Sequence, residues 1–164
     1  MYRPRRKNER GFTTIEMVIV LIAIGIALAV VVVASSGVQA KNRNSQRRQD
    51  IDSLQTQLET YYAGSPDGQY PATSQMNDAD WRAKNLPKLM LSTMRDPRWN
   101  VFNKHCVADK QTTFSAEPAT GCYSYQATDT SGADCDNQGS PCAHFTLTAT
   151  LEGGLETYVK SSLN

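Results

Sequence analysis

Proline is missing from the whole stretch Thr13–Tyr62 of this 164-residue chain, so nothing there obliges a helix to break. Charge is missing from Met17–Ala34, which excludes a two-faced surface helix over that run. Cysteine does not occur before Cys106. The four present, Cys106, Cys122, Cys135 and Cys142, are separated by 15, 12 and 6 residues. Close pairs of the C-x2-C kind are therefore lacking, and with them the usual zinc pattern. His105 and His144 are the only histidines; they sit near cysteines but read as surface or strand residues. No Ser/His/Asp or Cys/His set and no phosphate-cradling glycine loop is evident, so an enzyme is not expected. Outside Lys41–Arg48 there is no basic patch of the nucleic-acid-binding kind.

What is present is concentrated at the amino end. Residues 1–11 form a basic leader, with Arg3, Arg5, Arg6, Lys7 and Arg10 against a single acid, Glu9. Gly11-Phe12-Thr13-Thr14-Ile15-Glu16 follows, and then the uncharged run. That run takes about 20 residues, the length a helix needs to cross a ~30 Å hydrocarbon core. A carboxylate at bilayer depth costs about 2.5–3.5 kcal/mol at the helix centre, and less near the interface. Glu16 is therefore expected to have a partner; the plainer reading is a helix-start acid favoured by the dipole. The leader's cations hold that end in the cytoplasm, so residues 40–164 face outward. The formal charge of +1 falls to about −3 without the leader. An even cysteine count in an exported domain reads as a disulfide framework.

The leader, the Gly11-Phe12 junction, Glu16 and the apolar helix together resemble the prepilin signature of type IV pilins and of the pseudopilins of type II secretion. An ordinary secretory signal places its small-residue cleavage site after the apolar region; here Gly11 lies before it. The resemblance covers residues 1–75 well and the rest loosely. It implies cleavage after Gly11 by a prepilin peptidase, and a mature chain starting at an N-methylated Phe12. It also implies a Glu16 carboxylate paired with the Phe12 amine of a neighbouring subunit. The implied partners are further copies of the chain in a helical homopolymer, the membrane before assembly, and an assembly platform protein with its ATPase. DNA enters as a partner only through the DNA uptake that some pili serve. One departure concerns the proline that many type IV pilins carry in the second half of the apolar helix. This chain has Val33 there, and Ala34-Ser35-Ser36-Gly37 is the alternative place for local melting, since glycine and serine hold a helix weakly.

The expected fold is α+β and pilin-like. A long amino-terminal helix, half apolar and half amphipathic, packs on a small antiparallel sheet. Three regions follow: residues 1–11 removed, 12–40 as membrane and filament-core helix, and 41–164 as exported domain. In the last, the helix runs to about residue 62, loops to 121 and sheet over 122–160. Ile51, Leu54, Leu58, Tyr61 and Tyr62 recur at helical steps, with Arg47, Arg48, Asp50, Gln55 and Glu59 among the polar positions. Gly64, Pro66 and Gly68 end the helix, and Gln69-Tyr70-Pro71 continues extended. Asp50–Pro71 resembles the helix-to-loop junction of many pilins. A short helix is expected around Trp81. Arg95-Asp96-Pro97 is similar to the Asp-Pro turn preceding the sheet in major pseudopilins. Alternation predicts strands at Cys122–Gln126 and Phe145–Leu151, with a third at Thr157–Val159 after Gly153-Gly154. Phe145, Leu147, Ala149 and Leu151 share one face, expected to dock on the helix stripe.

Hairpin geometry then sorts the three possible disulfide connectivities. Cys122 and Cys142 begin successive antiparallel strands and so lie at opposite ends, roughly 17–20 Å apart, beyond the ~4.4–6.8 Å between bridged Cα atoms. Cys122–Cys135 fails for the same reason. Cys106–Cys122 with Cys135–Cys142 is expected. Asp129, Asp134, Asp136 and Asn137 share the hairpin loop and are oxygen ligands of the sort calcium takes; some major pseudopilins carry calcium in such loops. No ligand spacing matches here, so solvated carboxylates, without metal or other cofactor, are the expectation.

Three functions compete. A type IV pilus subunit would serve adhesion, twitching motility or DNA uptake. It would begin as a single-pass cytoplasmic-membrane protein with its amino terminus inside, and end on the cell surface. A major pseudopilin of a secretion or competence system would share fold and assembly. A membrane-anchored binding module would never polymerise, and the Gly-Phe junction and Glu16 argue against it.

Overall fold

A computed structural model describes residues 11–99, 113–115, 117–154 and 156–164, giving the helix backbone alone for 31–36. Helices come first: α1 (Thr14–Gly64), α2 (Thr73–Asn77), α3 (Ala79–Asn85) and a 3-10 turn at Leu91–Met94. Strands β1 (Tyr123–Thr128), β2 (His144–Thr150) and β3 (Thr157–Ser161) follow. The architecture is α+β, with one antiparallel sheet ordered β1-β2-β3. The chain divides into two compact units between Gln39 and Ala40.

In the first unit, α1 is apolar on every side. Its large side chains from Ile15 to Val30 all stand exposed. The expected membrane span is not found among the described residues: none of their helices is long and apolar enough to cross a membrane.

The second unit closes around its own core. Ile51, Leu54 and Leu58 of α1 share one buried cluster with Phe145, Leu147 and Ala149 of β2. Each such side chain contributes about 1.5–3 kcal/mol on burial. Phe145, Leu147 and Ala149 thus make the expected docking face of β2 the face observed, and Leu151 is buried as well. Tyr70 leaves the helix exit extended, and its N–H bonds the Cys142 carbonyl at 2.9 Å. Its ring meets Phe145 edge-on at 4.8 Å. The helix exit is thereby tied to the start of β2.

Several expectations shift in detail. The sheet starts at Tyr123 rather than Cys122, and β1 runs to Thr128. Ser124, on the alternate face, is also buried, because Ser115 bridges to it in parallel. The helix around Trp81 is α3, capped by Asp78, whose carboxylate accepts from the Asp80 and Trp81 N–H groups. The unforeseen α2 is too short for a periodic signal and is held by the complete burial of Met76.

One correction is larger. Arg47 and Asp50, assigned to the polar side of α1, are buried. They extend the stripe of Ile51, Leu54 and Leu58 by a further helical turn. A charge can occupy such a place only when paired and hydrogen-bonded; Arg47 meets both requirements, whereas Asp50, among the described residues, has a hydrogen bond alone.

Candidate functional site

The sequence singled out the start of α1, and local hydrogen bonding shapes it. Thr13 is the cap residue. Its hydroxyl accepts from the Glu16 N–H at 3.3 Å, and a Glu16 carboxylate oxygen accepts from the Thr13 N–H at 3.2 Å. The Thr13 hydroxyl lies 3.3 Å from the same oxygen. This reciprocal arrangement is a capping box, and it fixes where the helix begins. Glu16 is exposed, as is Phe12. Among the described residues, a Cβ built on Gly11 would meet nothing within 4 Å. The capping box was legible as Thr-x-x-Glu, a spacing overlooked beside the more conspicuous carboxylate.

A second polar constellation was not foreseen. The fully buried Arg47 grips both Asp96 oxygens, at 2.6 and 3.0 Å, and donates to Glu152 at 2.8 Å and to the Asn44 side chain at 2.8 Å. Arg43 makes a two-pronged pair with Glu152 at 2.7 and 2.6 Å, and Arg98 approaches the same carboxylate at 3.5 Å. The Glu152 N–H and C=O are held by the Asn44 side chain. The Arg43 hydrogen bonds, with Arg47 behind them, bring the Glu152 carboxyl down to about 2. One turn along α1, Asp50 accepts from the Tyr123 hydroxyl at 2.7 Å. There burial outweighs that hydrogen bond and raises its carboxyl to about 6. The Asp96-Pro97 turn thus has a structural role: Asp96 anchors α1 and also accepts from the Arg98 N–H at 2.7 Å.

The hairpin loop is held by its own side chains. Cys135 and Cys142 form the expected disulfide, with Cα atoms 5.2 Å apart. Cys122 is also disulfide-bonded, while its expected partner Cys106, like His105, lies outside the described residues. Asp129 accepts from Ser131, Ala133 and Ser140, and Asp136 from the N–H groups of residues 138–140. The Ser131 hydroxyl, with backbone N–H donors beside it, brings the Asp129 carboxyl down to about 2. Asn137 is not aimed at any shared site. In a left-handed conformation (φ 59°) it donates to the Tyr70 carbonyl and Gln75 and accepts from the Cys142 N–H. Asp134 is exposed. Among the described residues no group of three His, Cys, Asp or Glu side chains could hold a metal ion. His144 lies at the surface, its Nδ1 2.9 Å from the Asn164 carbonyl.

No protein-family model matches this chain. No curated protein and no solved structure matches it either. The functional reading therefore stands on the residues themselves.

Proposed function

We propose that this chain is a prepilin, the structural subunit of a type IV pilus, which polymerises through its amino-terminal helix. The observation that carries the reading is the apolar half of α1, exposed on every side and headed by Phe12–Glu16, beside a domain that has closed its own core. Such a surface leaves lipid only if copies bury one another's helices, at about 25 cal/mol per Å² of apolar area. The membrane holds the helix before assembly, with the leader inside and residues 40–164 outside, and the filament carries it to the cell surface.

Glu16 gains its role from cleavage after Gly11. The new Phe12 amine and the carboxylate of a neighbouring copy then neutralise each other in a dry core, and an unpaired carboxylate there is penalised, which selects the axial register. Glu16→Ala is expected to abolish filaments while leaving membrane insertion intact, read by electron microscopy of sheared material and by membrane fractionation. Normal filaments from that variant, or a mature terminus other than Phe12, count against the reading. A pseudopilin is the second reading, favoured by the Asp96-Pro97 turn; short filaments confined to the envelope would select it.

A further inference from the structure

Two oppositely charged ends mark the domain formed by residues 40–164. Glu152 serves three guanidiniums, those of Arg43, Arg47 and Arg98, and among the described residues only Arg47 of the three has a second carboxylate, Asp96. Arg98 is the least engaged, at 3.5 Å and with its side chain 55% exposed. Lys41, Arg48 and Arg95 add exposed cations on the same stretches of chain, and Arg95 is held over the Trp99 ring at 4.8 Å. This end carries more positive charge than its own described carboxylates neutralise.

The hairpin loop is the opposite pole. It precedes β2 while Glu152 follows it, so the seven residues of β2 separate the two ends by roughly 20–25 Å. α1 runs the same way: Arg43 and Arg47 meet Glu152, whereas Glu59 accepts from the Tyr70 hydroxyl, and the Tyr70 carbonyl binds Asn137 of the loop. Asp134 and Asp136 sit exposed there, and Asp129 is half-buried. Asp129 and Asp136 are committed to shaping the loop, which leaves Asp134 as the carboxylate free to face outward.

We propose that the cationic end of one copy receives the acidic hairpin loop of the next, with Arg95 and Arg98 facing the neighbour's Asp134. The proposal rests on the filament reading and specifies how the outer domains meet within it. A second copy fits better than an anionic lipid surface because both poles belong to one molecule. A shift along α1 brings unlike ends together, an open head-to-tail contact that propagates. Such exposed pairs set register and encounter rate more than raw affinity, and they weaken as salt rises.

The test is charge reversal in the full-length chain, expressed with its assembly machinery and scored as sheared filament per cell. Arg95→Glu with Arg98→Glu, and separately Asp134→Lys, are each expected to lower the yield at least about tenfold, because like charges placed opposite one another cost several kcal/mol. Combining all three should restore it to within about twofold of the original. Melting of the detergent-solubilised chain checks that each variant folds. Should the arginine pair fail that check, Asp134→Lys alone, with rescue by added salt, decides the matter. Reversals that assemble normally, or a combination no better than its parts, overturn the stacking proposal. If Glu16→Ala still blocks assembly in that case, the filament reading survives. A chain that forms no filament under any condition sinks both.

Discussion

The two halves of α1 obey opposite rules within one unbroken helix. Up to Val30 its large apolar side chains all face outward. From Arg47 onward one stripe is sealed beneath the sheet while Arg48, Asp52 and Thr56 stay wet. The first half has no cover among the described residues. The second is satisfied internally, so substitutions there register as stability rather than as assembly. The difference shows that a helix's surroundings, not its backbone, decide what its residues are for.

The comparison breaks most readily at Arg47. Arg47→Met strands the fully buried Asp96, and urea unfolding of the solubilised chain should show a loss of about 3–5 kcal/mol. Arg48→Met, one residue on and exposed, should stay within about 0.5 kcal/mol. Next comes the apolar pair. Leu54→Ala empties a fully buried site and should cost about 2–5 kcal/mol. Leu21→Ala should leave the same transition unmoved yet weaken filaments.

Asp50 sharpens the contrast through pH. Its folded carboxyl sits near 6 against an ordinary 3.8, so over that window the folded chain binds a proton that the unfolded chain has released. Its contribution is fully present below about pH 4 and is lost as pH rises through 6, some 2–3 kcal/mol at most. Asp50→Asn keeps an acceptor for Tyr123 and should therefore unfold later than the parent at pH 7 but alongside it at pH 4. Glu152 has the opposite sign: held down to about 2 from 4.5, it stabilises above about pH 4.5 and fails as pH falls towards 2. A smaller, local effect belongs to the helix start. Thr13→Ala removes half of the capping box and should cost about 1 kcal/mol of local helix stability, seen as faster amide exchange in the first turn with no shift of the main transition.

Much of this was legible in advance because it is local. Period-two alternation placed the first two strands and the Gly153-Gly154 turn the third, each to within a residue or two, and the stripe from Ile51 to Leu58 identified the packed face of α1. The Cys135–Cys142 bridge followed from hairpin geometry. What escaped was nonlocal. Arg47 and Asp50 fall on the stripe by spacing, but charged residues there look solvent-facing until their partners are known. Those partners, Asp96, Tyr123 and Glu152, lie 49, 73 and 105 positions away. The loop acids misled in the reverse sense, since Asp129 and Asp136 spend their lone pairs on neighbouring backbone N–H groups.

The last strand also has a kinetic consequence. Gln55 donates to the Ser161 carbonyl and Glu59 accepts from the Leu163 N–H, so α1 is completed by residues 106 and 104 positions further along the chain. During synthesis the greasy stripe of α1 must wait, uncovered, until those distant residues emerge. Closure over such sequence separations is intrinsically slow. A holding chaperone would shorten that vulnerable interval.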